Sequence, residues 1–376
     1  MKQGLELADK TKGAERMTAD FQSGLRDIAY NREKQHPSMI ITALSNINIM
    51  GDYLPASIFN TVNYTYGFEV EDDATVFGEA FKRIDKLGFV RIPRPDRQKA
   101  GEFSYQHNFL RICRPQRNAR LSSVALDKPF NGSDFNYGIK EVDPEVFATN
   151  KESENLTLDF VYNRYAFVPY HFLMVPNRGS GHNQFLDPYK DREIIESAWR
   201  FVHDKGLGQG VRLCFNSLGA HASVNDLHFQ GFFLVKGWEL PIEKYLSEEN
   251  FEKKDGFYMD GVSFIPLGDA VNGLMDSISR INKRHRDGEK IAYCFYMTPK
   301  GIVFFPRKHQ GDQDYFRMIG EVNDPDAIST GFAFYELLGE ILTPKEIDFK
   351  DENMAKRVIE RTRKTFGALE LKVNLL

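Results

Sequence analysis

The chain has 376 residues, 41% hydrophobic and 27% charged, with 49 basic against 53 acidic side chains and a formal net charge of −4. That length allows a large core and two or three domains, and the mild acidity argues against a polybasic nucleic-acid footprint. Three scattered cysteines, Cys113, Cys214 and Cys294, argue against a disulfide framework and against a cysteine-based zinc site. The first ten residues hold no apolar leader core and no run reaches the length of a membrane span, so the expectation is a soluble protein of a reducing, cytoplasmic setting.

The elements follow in chain order. Met17, Phe21, Leu25 and Ile28 recur at spacings of three and four and predict a helix over 14–32. Residues 39–48 are rich in strand formers. Phe77, Ala80, Phe81 and Ile84 share one side of an amphipathic helix over 72–87. A basic loop broken by Pro93 and Pro95 spans 91–97, and a strand over 110–114 ends at Pro115. Arg111, Arg114, Arg117 and Arg120 read as phosphate contacts or, more plainly, as a solvated strand face. Residues 129–137 are turn-rich. Strands are predicted over 156–162 and 170–176, then a helix over 191–203 whose stripe is Ile194, Ile195, Ala198, Trp199 and Val202. Strands over 212–215 and 225–235 follow. The C-terminal part predicts a helix over 269–284, a hairpin of 291–297 and 301–305, a strand over 331–342 and a closing helix over 352–366.

The stretch over 215–234 carries the most information. A turn with Asn216, Ser217 and Gly219 runs into the 225–235 strand. Side chains on a strand alternate faces, so Asn225, Leu227, Phe229, Gly231 and Phe233 share one, mostly apolar face. Asp226, His228 and Gln230 share the other. Polar groups in so apolar a segment are either hydrogen-bonded or put to use. An acid, an imidazole and an amide at spacing two suit phosphoryl chemistry: the imidazole attacks, the amide donates to a phosphate oxygen, and the neighbour fixes the ring. Histidine suits the first task because its ordinary pKa of about 6.5 leaves it mostly neutral near pH 7.

Asp226-Leu227-His228-Phe229-Gln230 resembles the His-x-His-x-Gln signature of the transferase branch of the histidine-triad (HIT) superfamily. That branch includes galactose-1-phosphate uridylyltransferase, diadenosine tetraphosphate phosphorylase and the GDP-hexose phosphorylases. The longer run from Asn216 to Ala220, with Asn225 and Leu227 to Gln230, is most similar to the GDP-L-galactose and GDP-D-glucose phosphorylases. The first signature histidine is Asp226 here. The likeness extends to the loop from Pro129 to Tyr137 and to the strand from His171 to Pro176, with Tyr170 in place of the family's glycine. Residues 293–306 and 336–340 look like the second half of such proteins, which has lost its nucleophile.

The resemblance implies an α+β fold of two HIT-like half-domains, antiparallel sheets backed by helices. An N-terminal extension over 1–105 would precede a catalytic half over 106–250 and a degenerate half over 251–376. It implies a nucleotidyltransferase that phosphorolyses a nucleoside diphosphate hexose, a GDP-hexose first among them, through a nucleotidyl-histidine intermediate on His228. Gln230 would donate to the α-phosphate, and glutamine here marks transferases where histidine marks hydrolases. The main-chain carbonyl of residue 226 would hold the nucleophile's other ring nitrogen, and the Asp226 side chain either turns to another donor or retunes the site. Substrate contacts are expected from Asn163, Asn216, Ser217, Gly219, Ser223, His171 and Arg178, with His182 and His221 nearby in the loops. Partners would be a nucleotide sugar and inorganic phosphate, with no cofactor, no metal, no nucleic acid and no membrane. The branch is often dimeric, which admits a homodimer. Two alternatives stand beside this reading: a dinucleoside polyphosphate (Ap4A) phosphorylase or hydrolase, and a non-catalytic nucleotide-binding protein with a decayed triad.

Overall fold

The computed structural model describes residues 15–28, 37–50, 95–108, 125–203, 210–247, 251, 261–289, 291–310, 312, 332–343, 347 and 349–371. Two helices come first, α1 over 15–28 and α2 (Pro37–Met50). Strands β1 (Asp96–Ala100) and β2 (Phe103–His107) follow. Next are β3 (Val146–Lys151), β4 (Thr157–Tyr162) and β5 (Phe172–Pro176), then α3 (Arg192–His203), β6 (Val211–Asn216) and β7 (Phe229–Phe233). The remainder holds β8 (Ser263–Pro266), α4 (Ala270–Arg286), β9 (Ile291–Thr298), β10 (Gly301–Lys308), the short α5 (Phe334–Leu337), β11 (Glu340–Thr343) and α6 (Glu352–Leu369).

Eight of these strands form one sheet in the order β3-β4-β5-β7-β6-β9-β10-β8, with every pair antiparallel. The predicted α+β architecture of antiparallel strands with helices is what the chain adopts. All residues of β5, β6 and β9 are buried, as in strands covered on both faces. The register places Phe215, Phe229 and Phe295 on one face, where their rings lie 5.1–6.2 Å apart. Both α3 and α4 pack against this part of the sheet. The predicted stripe of α3, Ile194, Ile195, Ala198, Trp199 and Val202, is buried. The opposite face carries Cys214 and Gln230 side by side, with Phe232 beyond them. A small separate cluster of Tyr137, Val142, Val161, Leu173, Val175 and Val224 lies apart from the main core. Leu173, paired with Gln230, places it on the Gln230 face.

A second sheet, β1-β2-β11, joins residues 96–107 to residues 340–343, with β11 running parallel to β2. Arg97 grips Glu340 with two hydrogen bonds of 2.7 Å. Helix α6 covers this sheet: Phe366 stacks on Phe103 at 5.6 Å, and Thr362 meets the Tyr105 hydroxyl at 3.0 Å.

Several predicted elements differ. Residues 39–48 lie in helix α2, not a strand, because Ala43, Leu44, Ile47 and Met50 are buried along with Thr42, Ser45 and Asn46, and this packing outweighs local propensity. Asp96 and Arg97 belong to strand β1 and not to the loop expected over 91–97. The stretch 331–342 holds α5 before the strand, with the Glu336 carboxylate accepting from the Ala333 N–H at 3.0 Å, and Gly339 at φ 88° ends that turn. The strand expected over 225–235 begins only at Phe229. The helix over 72–87, the strand over 110–114 and the four arginines from Arg111 to Arg120 lie outside the described residues. No described helix is long and apolar enough to cross a membrane.

Candidate active site

His228 sits at the residue before β7, where Asn225, Asp226 and Leu227 have left the ladder. Its ring Nδ1 lies 2.8 Å from the main-chain oxygen of Asp226. A carbonyl can only accept, so Nδ1 carries a proton, and in the neutral ring the lone pair is on Nε2. The Tyr137 ring meets the imidazole edge to face, with centroids 5.1 Å apart. The His228 side chain is buried, with 5% of the residue exposed.

The backbone around His228 is held by the loop after β5. Leu227 N–H donates to the His182 carbonyl at 2.8 Å. His228 N–H donates to Gln184 Oε1 at 2.8 Å, and Gln184 Nε2 donates to the His228 carbonyl at 3.1 Å. Asn225 turns its amide to the carbonyls of Lys128 and Pro129, both at 3.0 Å, which draws the 129–137 loop against the 225–228 segment. This is why Asn225 does not take the core position that alternation assigns to it.

The Asp226 carboxylate accepts the Tyr137 N–H at 2.8 Å. Burial raises its pKa above the ordinary carboxylate value, against the opposing pull of that N–H, His182 and Arg178. Arg178 donates to the Tyr137 carbonyl at 3.0 Å and pairs with Asp159 and Asp143 at 3.0 and 2.8 Å. The backbone of one residue, Tyr137, is thus gripped at its N–H by an acid and at its carbonyl by a guanidinium. Burial alone would lower the Arg178 pKa, but its two carboxylate partners outweigh it and hold the group above its ordinary value. His182 Nε2 lies 3.3 Å from Asp191, and that contact raises the His182 pKa.

Gln230, on the face shared with Leu173, brings Oε1 to 3.2 Å from His171 Nε2. The same ring nitrogen is 3.2 Å from Asn163 Nδ2, whose Oδ1 accepts the Tyr165 N–H at 2.9 Å. Asn163, His171 and Gln230 therefore form a continuous polar row that ends two residues along the chain from His228. The turn residues are placed otherwise. Asn216 is buried, and its Oδ1 accepts from Phe334 N–H and Cys294 Sγ, both at 3.0 Å. Ser217 gives its N–H to the Tyr293 carbonyl at 3.0 Å and takes the Tyr293 N–H on Oγ at 2.9 Å. Gly219 has φ 79°, and a Cβ there would stand 2.1 Å from the His309 ring. Its carbonyl accepts the Gln310 N–H at 2.7 Å, while Gln310 Oε1 accepts the His221 N–H at 2.8 Å. Ser223 is exposed. Among the described residues no group of His, Cys, Asp and Glu is arranged to hold a metal ion.

Sequence reasoning passed over Gln184 entirely and saw Tyr137 only as part of a loop. Nothing local marks Gln184, since its partners lie 32 and 44 residues further along.

Residues 102–232 match the family model described as GDPGP1-like, N-terminal domain. The stretch contains Asn163, His171, Gln184, His228 and Gln230, so the family likeness drawn from the signature and this match fall on the same residues. GDP-D-glucose phosphorylase 1 of Macaca fascicularis is 41% identical over 78 residues, 21% of this chain. The match spans 18% of that relative's length. Among solved structures, yeast Ap4A phosphorylase Apa2 in complex with Ap4A gives a TM-score of 0.46 at 14% identity, covering 81% of this chain and 99% of that one. Apa2 in complex with AMP gives 0.44 at 15% identity, covering 78% and 96%.

Proposed function

We propose that this chain, whose residues 102–232 match the GDPGP1-like N-terminal domain, is a nucleotidyltransferase that phosphorolyses a nucleoside diphosphate hexose, with a GDP-hexose as substrate. The observation that carries the reading is the His228 ring, held through Nδ1 by the Asp226 carbonyl two residues before Gln230, inside the matched segment. The signature and a relative that bears the name GDP-D-glucose phosphorylase 1 support the substrate class.

In the first displacement, His228 Nε2 attacks the α-phosphorus. The P–N bond forms, the bond from that phosphorus to the bridging oxygen breaks, and hexose 1-phosphate leaves with that oxygen. In the second, an oxygen of inorganic phosphate attacks the same phosphorus, the P–N bond breaks, and the nucleoside diphosphate departs. Nδ1–H stays on the Asp226 carbonyl throughout and stabilises the positive charge that the ring gains on attack. Gln230 supplies an uncharged donor to the non-bridging oxygens, with His171 and Asn163 aligned behind it. The Asp226 carboxylate is engaged with Tyr137, so replacement of the signature histidine leaves the ring-holding carbonyl in place and activity persists. The catalytic half is assigned to 106–250 and the degenerate half to 251–376, one site per chain.

A substrate panel tests the reading. GDP-hexoses with inorganic phosphate should yield hexose 1-phosphate and GDP, and His228→Asn should abolish both the turnover and a nucleotidyl adduct seen by mass spectrometry. Phosphate-independent release of a nucleoside monophosphate would instead indicate a hydrolase. Preference for diadenosine tetraphosphate over every nucleotide sugar would move the assignment to the dinucleoside branch.

A further inference from the structure

His228 stands one residue outside the sheet. Pairing of β7 with β5 starts at Phe229, opposite Met174, and pairing with β6 starts at Gln230, opposite Cys214. The peptide groups of His228 lie beyond both ladders, where a nucleophile would swing with its backbone. The Gln184 carboxamide occupies the place of the missing strand residue. Its Oε1 accepts the His228 N–H at 2.8 Å, and its Nε2 donates to the His228 carbonyl at 3.1 Å. A primary amide offers the same acceptor and donor as a peptide, so one side chain reproduces the bonding of a strand neighbour. The same Nε2 reaches the carbonyl of Asn216, the last residue of β6, at 2.9 Å. Gln184 is wholly buried, and its own N–H donates to Asn225 Oδ1 at 2.9 Å.

We propose that Gln184 is a positioning residue for His228. It fixes both backbone groups of the histidine and ties them to the end of β6. The ring then keeps its Nδ1–H on the Asp226 carbonyl and presents the Nε2 lone pair in one direction. This rests on His228 being the nucleophile of the proposed reaction. It does not depend on which nucleotide sugar is used.

Two variants of the full chain test it. Gln184→Met keeps the volume and removes both hydrogen-bonding groups. Gln184→Glu keeps the acceptor and retains a donor only while protonated. Gln184→Met should lower kcat by about 10- to 100-fold, the scale of a misplaced reacting group, with KM changed less than about threefold. The kcat deficit of Gln184→Glu, relative to wild type, should shrink as pH falls through the carboxyl's titration range. A readout free of turnover is the tautomer of the His228 ring by NMR of nitrogen-15-labelled histidine, assigned with His228→Asn. Wild type should show the Nδ1–H form, and Gln184→Met a mixture. An unchanged tautomer and kcat in folded Gln184→Met overturns the proposal, as does a change confined to KM or to the folded fraction. Loss of the tautomer bias in an enzyme that accepts no nucleotide sugar would uphold the clamp and refute the reaction.

Discussion

Asp226 divides its work between two atoms. The main-chain oxygen holds the His228 ring, and the carboxylate holds the Tyr137 N–H. Only the second task depends on residue type, and it needs an acceptor. Asp226→Ala should destabilise the fold by about 1–3 kcal/mol by stranding a buried N–H, whereas Asp226→Asn keeps an acceptor and should cost far less. Urea unfolding will separate them. The pH dependence has a definite sign. Burial raises the Asp226 pKa, so native stability from this group is fullest when the carboxyl is protonated and declines as pH rises through the folded value. Relative to wild type, Asp226→Asn should therefore gain stability as pH rises from the ordinary aspartate value through the raised folded one. His228, Gln230 and the ring-holding carbonyl were legible in the sequence because they are neighbours along the chain. Gln184 was not, because its role depends on the loop after β5 folding back onto a segment 44 residues away.

Elements were legible where periodicity and burial agree, as in α3, α4 and the β9–β10 hairpin. They were illegible where tertiary contacts override composition. α2 is built from strand-forming residues yet is buried as a helix, with its Asn46 amide reaching carbonyls on two sides, those of Thr42 at 2.8 Å and Asn163 at 2.9 Å. The run before β7 alternates like a strand, but its N–H groups go to His182 and Gln184, which alternation cannot foresee. The turn that holds Ser217 and Gly219 read, with Ser223, as a source of substrate contacts. Its glycine answers first to His309, whose ring fills the space of a side chain. Gly219→Ala should destabilise the protein by about 1–3 kcal/mol through overpacking, with a further penalty for positive φ. Adding His309→Ala should restore part of that loss, and the double-mutant cycle will measure the coupling.

At the scale of the whole molecule, the β6–β9 pairing fuses what the resemblance divides into two halves. Leu213 to Asn216 of β6 lie against Cys294 to Met297 of β9. Arg212 adds a buried tie to Glu243, at 2.8 and 3.1 Å, and the Tyr296 hydroxyl donates to the same carboxylate. Because the described strands of both halves share one eight-stranded sheet, denaturant unfolding should be a single transition, and tryptophan fluorescence from Trp199 and Trp238 should coincide with circular dichroism. Two separated transitions would mean that the halves fold independently.

Helix α2 has a practical bearing on any attempt to trim the polypeptide. Its Ser45 hydroxyl and Asn46 amide hold the carbonyls of Arg164 and Asn163 at 2.7 and 2.9 Å, just behind the row that leads through His171 to Gln230. A shortened version begun at residue 102, where the family match starts, would discard this brace while keeping every signature residue. Such a fragment would look intact on an alignment and lack the scaffolding that keeps its amides in line.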